Sequence, residues 1–446
     1  MSMLSSVGPS LESETRPALA PAPVRALNSE VTLNSLSDDY SMREAVLLTF
    51  CDPLPDQCLR LVSLSEVQWK KLLNWLDISG LALYFLDRIQ QLELTDLLPP
   101  RVLARLQQNQ RDNNVRTIGM AAESVAIQKE FQAARISYAT VKGFSLSPYS
   151  VPKPELRHQF DLDFLIAEQS VAEARQILEG RGYRLYAISG RSWEFKINET
   201  PGVSITDLYK DLPGRSVELH VEVTAPGRPS LLGHTETRDF CDISMPVLSD
   251  VDLFLGQGLH AYKHLNGEFS RAAHLLEFRR HVLFRRDDDA FWRELQSTVD
   301  EDPRACLGLG VVTQLITNVM GDFAPEALIR IAVRPLSPAA KLWIELYGRR
   351  AVLQSFPGSK LYLLLQGELE SAHVPGKRSL RQALFPSRLP PSLIQASGSE
   401  SVTVRLRRYR LQLHHIFSRL RFHIVEGLRY IRESYRWRQH LNRLTR

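Results

Sequence analysis

The chain is poor in cysteine. Its 446 residues hold four, Cys51, Cys58, Cys241 and Cys306, without zinc-site spacing and too few for a disulfide framework. A reducing cytoplasm suits them. The N-terminus lacks the basic-then-apolar stretch of a secretion signal, and no run approaches the roughly 18–20 apolar residues of a membrane span. No groove-reading motif is present, so sequence-specific binding to nucleic acid is not expected. Lysine is absent from Ser401 onward, where twelve arginines face only Glu426 and Glu433. That segment carries +10 and leaves the remaining chain at −5, so the pI near 9.0 belongs to the tail.

What remains has the composition of a soluble globular protein, 44% hydrophobic and 24% charged. The length exceeds one typical core and suggests two folded units with tails. Residues 1–40 are rich in Ser, Pro, Ala and Leu without periodicity and read as disordered. Residues 41–116 form a helical lead-in, with a capping box at Ser63-Leu64-Ser65-Glu66, a helix over 81–91 and another from Pro99-Pro100. Trp69 and Trp75 read as packing residues. A long helix follows over 114–134, then a strand over 136–141, and Ser170 is placed to cap a helix that stops at Gly182. Further strands fall at 183–188 and 193–197. Ser249 caps a helix running to about residue 284, within a helical region over 249–373. Residues 374–400 read as a Pro/Ser-rich linker, and 401–446 as an Arg-rich amphipathic helix.

The chemistry concentrates in residues 141–166. Phe160-Asp161-Leu162-Asp163-Phe164-Leu165-Ile166 is an apolar run interrupted by two carboxylates. Strand side chains alternate faces, so Asp161 and Asp163 project together while Leu162, Phe164 and Ile166 take the other side. Two carboxylates held that close repel each other, an arrangement a divalent cation relieves. A third oxygen ligand is on offer in 216–223, which alternates Val217, Leu219, Val221 and Val223 with Glu218, His220 and Glu222. Lys142 and Arg157 are cations suited to phosphate oxygens. Gly143 suits close backbone approach, where backbone N–H groups can hold an anion.

This ordered set resembles the uncharacterised nucleotidyltransferases of the polymerase-β-type superfamily. The shared features are Lys-Gly, an Arg, Asp-x-Asp followed by aliphatics, a helix ending in Gly-Tyr, and an acidic-x-His strand. The resemblance covers roughly residues 60–290, with weaker echoes to about 390. It implies an α+β fold, with a small mixed sheet of nucleotidyltransferase type, over 117–248, embedded between helical N- and C-terminal regions. The superfamily's usual Gly-Ser before the carboxylate pair is Lys142-Gly143 here. Glu218 stands where Asp is frequent.

The resemblance implies transfer of NMP from an NTP, with ATP the first donor to consider, to an acceptor such as a sugar, protein or small molecule. Asp161, Asp163 and Glu218 would bind Mg²⁺ or Mn²⁺ and carry catalysis. Lys142, Gly143, Ser145 and Arg157 would hold the triphosphate, and His220 would orient Glu218 or touch phosphate. The alternative is a degenerate fold that binds nucleotide or a partner without turnover. His260 and His264 have a zinc-ligand spacing, but no general base lies between them. Lining the nucleotide cleft, or packing with one hydrogen bond, is preferred for them. In the tail, Leu411, Ile416, Phe417, Leu420, Ile424, Leu428 and Ile431 predict an apolar stripe. Packing on the protein's own body is favoured, with weak contact to anionic lipid or another polyanion as the other destination.

Overall fold

The computed structural model describes residues 33–198, 207–223, 230–369, 380–385 and 402–444. Within them, seven strands form one sheet: β1 (Tyr138–Thr140), β2 (Asp161–Ala167), β3 (Arg184–Ser189), β4 (Ser192–Ile197), β5 (Arg215–Glu222), β6 (Thr235–Phe240) and β7 (Ile243–Leu248). Their spatial order is β3-β4-β5-β2-β1-β7-β6. β2 runs parallel to β5 and antiparallel to β1, so the sheet is mixed. The β6–β7 hairpin was not read from sequence, because Thr235 to Phe240 carries its charges without a clean apolar alternation.

The α-helices that bear on the site are α1 (Leu33–Leu48), α2 (Glu66–Ser79), α3 (Ala82–Gln91), α4 (Pro100–Ala133), α5 (Val171–Gly180), α6 (Asp250–Leu265) and α7 (Ala272–Phe284). Alternation along β2 and β5 sets the layering. Leu162, Phe164, Ile166, Val217 and Leu219 pack on Met120, Ile127 and Phe131 of α4 and on Ala174 and Leu178 of α5. The opposite face carries the polar residues. Its far end is closed by Leu165, Val141, Leu231, Leu248 and Leu253. A separate core joins the N-terminal helices, α6, α7 and the later helices, from Met42 through Trp343 to Trp437. Trp69 and Trp75 are buried in it.

Several local readings are corrected. The capping box is formed by Ser65 and Gln68, not by Ser63 and Glu66. Residues 114–134 do not begin a new helix. α4 runs unbroken from Pro100 because Asn113, a weak helix former, is buried and donates to the Glu155 carbonyl at 2.7 Å. Ser170 makes no side-chain cap. The long helix after Ser249 is two helices, since Asn266-Gly267 closes α6 and the chain turns back into α7. The first described helix starts at Leu33, inside the segment read as disordered, and the rest of that segment lies outside the described residues. So does most of the 374–400 linker. No described helix is long and apolar enough to cross a membrane.

Val402–Leu444 is a single helix with two apolar faces. Phe422, Glu426 and Trp437 are buried against the body. Glu426 accepts from the backbone of the fully buried Lys360 at 3.3 Å. The stripe expected to pack lies elsewhere: Leu411, Phe417, Leu420, Ile424, Leu428 and Ile431 are exposed. The docking face is offset from it because the body presents partners, Glu368 to Trp437 and Tyr347 to Glu433, along the other side.

Candidate active site

Parallel pairing of β2 with β5 puts Asp163 opposite Glu218 and Leu165 opposite His220, with Asp161 opposite Ser216. Paired positions share a face, so Asp161, Asp163, Glu218 and His220 all project from the polar side. One oxygen or nitrogen from each of Asp163, Glu218 and His220 lies within 4.8 Å of the others. Asp161 stands two residues along from this group, at the half-exposed start of β2.

The end of β1 supplies the cation. After Val141, whose N–H donates to the Asp163 carbonyl at 3.1 Å, Lys142 adopts φ +62°, ψ −167° and Gly143 φ +52°. The first conformation is one that almost only glycine adopts freely. Gly143 follows at a φ that side-chain-bearing residues rarely adopt, and a Cβ there would also lie 2.9 Å from the Gln159 amide nitrogen. The kink is locked when the Ser145 hydroxyl and N–H both donate to the Lys142 carbonyl, at 2.9 and 3.0 Å. It aims Lys142 Nζ at Asp163 Oδ1, 2.7 Å away.

Asp163 Oδ1 is shared. His220 Nε2 sits 2.9 Å from it and 3.7 Å from Glu218 Oε2. With Nε2–H donating to Asp163, the 3.3 Å approach of Lys142 Nζ to the same nitrogen joins two donors and is no bond. Burial would raise the Asp163 carboxyl, but Lys142 and His220 hold it far below the usual carboxylate range. Burial would lower the Lys142 ammonium, but Asp163, Glu218 and Asp161 hold it above its usual range. Three carboxylates against one ammonium leave a net charge of −2, which suits a divalent cation, and the oxygen-rich donor set fits Mg²⁺ or Mn²⁺.

The other residues fall into place around this centre. Ser192, at the start of β4, donates to Glu218; it lies one residue before the strand read from sequence and was missed. Glu222 is buried and accepts from the backbone N–H groups of Leu231 and Leu232, so it caps the short 3-10 helix Leu231–His234. Ser145 spends its hydroxyl on the kink. Arg157 Nε is bound by Glu277 of α7 at 3.1 Å, and Tyr84 donates to the same carboxylate oxygen at 2.9 Å. Burial opposes the Arg157 charge, while Glu277 and the nearby Asp161 and Asp163 favour it.

The Asp-x-Asp strand thus lies in a mixed sheet embedded between helical regions. Residues 65–305 match the protein family described as "Uncharacterised nucleotidyltransferase", and the match spans more than half the chain. The chain belongs to that family. Among solved structures, an antigenic nucleotidyltransferase-like protein from Paracoccidioides brasiliensis is similar over 47% of this chain and 93% of its own, at 16% identity and a TM-score of 0.27. That superposition is too distant to inform the site. No curated protein sequence matches the chain.

Proposed function

We propose that the protein transfers NMP from an NTP, with ATP as the donor to test first, to a hydroxyl on a sugar, protein or small molecule. The observation that carries this reading is the in-register pairing of Asp163 with Glu218, beside Asp161, on one strand face. These three carboxylates would hold Mg²⁺ or Mn²⁺. When bound, the cation neutralises phosphate charge and favours ionisation of the attacking hydroxyl. The acceptor oxygen bonds to the α-phosphorus, the bond to the β-phosphate oxygen breaks, and pyrophosphate leaves. Glu218 takes the hydroxyl proton, with Ser192 holding its carboxylate in place. Lys142 leaves Asp163 for a phosphate oxygen, and the Lys142-Gly143 backbone lies against the triphosphate. Ser145 and Arg157 act one step removed: the serine keeps the kink, and the arginine braces the loop against α7.

A second reading has an observation of its own. Asp163 Oδ1 already receives both Lys142 and His220, which suits a fold that binds nucleotide or a partner without turnover. Incubation with radiolabelled ATP and Mg²⁺ separates the two. Pyrophosphate release abolished by Glu218→Gln supports transfer; Mg²⁺-dependent ATP binding without any release supports the non-catalytic reading.

The exposed stripe and arginines of the C-terminal helix support contact with an anionic lipid surface. Four free cysteines support a reducing cytoplasm as the setting.

A further inference from the structure

Beside the carboxylate site stands a second cluster that the transfer reading does not use. His260 and His264 lie one turn apart on α6. The reversal after Asn266-Gly267 returns His274, on the first turn of α7, to the same place. The ring centroids are 4.6 Å apart for His260–His264, 4.8 Å for His260–His274 and 4.6 Å for His264–His274. One nitrogen from each ring lies within 4.8 Å of the others. Sequence spacing alone offered only the first two.

Three imidazoles packed this way are a poor anion site and a good soft-cation site. A neutral imidazole keeps a lone pair, the state in which histidine ligates metal. His274 Nδ1 is buried with no hydrogen-bond partner, an orphan of the kind that calls for explanation. The nitrogens need only close from within 4.8 Å to about 3.4 Å, the separation that tetrahedral geometry sets for metal–nitrogen bonds of about 2.0–2.1 Å. Metal binding would draw the rings together by rotation about their side-chain bonds. The donor type decides the class: imidazole nitrogen suits zinc and its transition-metal neighbours, whereas Mg²⁺ prefers the oxygens of Asp161, Asp163 and Glu218.

We propose that His260, His264 and His274 form a transition-metal site, best matched to Zn²⁺, distinct from the carboxylate site and tying α6 to α7 across the turn at 266–271. Three protein ligands leave the fourth position for water or another small ligand.

The test uses the full-length protein, stripped with chelator and titrated with ZnCl₂ by calorimetry and thermal melting. One equivalent should bind with micromolar or tighter affinity and raise Tm. His260→Gln/His264→Gln should lose that equivalent and its Tm gain, whereas Asp163→Asn/Glu218→Gln should keep both. Zn K-edge X-ray absorption on the wild-type protein needs no variant to fold, and should show imidazole nitrogens at about 2.0–2.1 Å. An all-oxygen shell, no binding, or zinc that disappears with the carboxylate pair and not with the histidines would overturn the proposal. Each result leaves the pyrophosphate assay untouched, so the two readings fail separately.

Discussion

Lys142 Nζ sits 2.7 Å from Asp163 Oδ1, and the residue that makes this contact does so from a backbone conformation almost reserved for glycine. Strain at such a point persists when the surroundings over-determine it, as the Ser145 bonds to the Lys142 carbonyl do here. Under the proposed transfer reaction the ion pair is a placeholder: the ammonium would hold neighbouring carboxylates together until a cation and a triphosphate separate them.

Two substitutions at Lys142 divide its backbone role from its side-chain role. Both Lys142→Ala and Lys142→Gly remove the ammonium and should weaken ATP binding roughly tenfold or more, the loss of one charge-assisted contact of about 1.5–3 kcal/mol. The glycine variant should nevertheless be more stable than the alanine variant by about 0.5–2 kcal/mol, since strain relief exceeds the added freedom of the unfolded chain. Chemical denaturation and ATP titration measure the two effects. Equal stabilities would remove the strain argument.

Arg157 should behave as a structural cation. Arg157→Ala leaves Glu277, which is 3% exposed, without its ion-pair partner and with only the Tyr84 hydroxyl, among the described residues, bonded to it, and should cost about 3–5 kcal/mol. Its effect on ATP affinity should be smaller than that of Lys142→Ala. An unchanged melt with lost ATP binding would return Arg157 to the phosphate site.

The C-terminal helix has two faces and should give two signals. Truncation after Gln395 removes buried Phe422 and Trp437 and the Glu426 contact to Lys360, so Tm should fall. Only the full-length chain should pellet with anionic vesicles, through the exposed stripe. An unchanged melt would deny the packing, and equal pelleting of both proteins would deny the lipid contact.

His281 is fully buried with Nδ1 3.0 Å from Gln257 Oε1. Burial, Arg285 and Arg238 push its pKa down to about 3. A histidine with a depressed folded pKa binds its proton first in the unfolded chain, so its contribution falls as pH drops below about 6.5. The stability of the wild type relative to His281→Gln should therefore decline by about 1.4 kcal/mol per pH unit between 6.5 and 4. Above pH 7.5 the difference should be flat. A pH-independent difference would contradict the depressed pKa.

Much of the site could be read in the sequence because strand parity is a local rule. Asp161 and Asp163, then Glu218 and His220, needed only alternation, and the parallel pairing of β2 with β5 did the rest. What the sequence hid was set by partners distant along the chain. Residues 100–134 read as two helices, with the second starting at about Asn114, whereas the structure buries Asn113 inside one helix with its side chain on the Glu155 carbonyl. Arg157 reads as a loop cation until Glu277, 120 residues later, claims it. The return of His274 to His260 and His264 was concealed by reading one helix through Asn266-Gly267, a signal present in the sequence that helical periodicity on both sides overrode. The tail's stripe was placed correctly as a pattern and wrongly as a contact, because periodicity cannot say which of two apolar faces the body will meet.

The central claim is that Asp161, Asp163 and Glu218 hold a divalent cation with the nucleotide. The most direct measurement is calorimetric titration of ATP into wild type and Asp163→Asn, each with Mg²⁺ and with EDTA, alongside circular dichroism. The account predicts Mg²⁺-dependent ATP binding by the wild type and none by Asp163→Asn, with unchanged helical signal. Equal ATP affinity in the two proteins, or wild-type binding indifferent to EDTA, would contradict it.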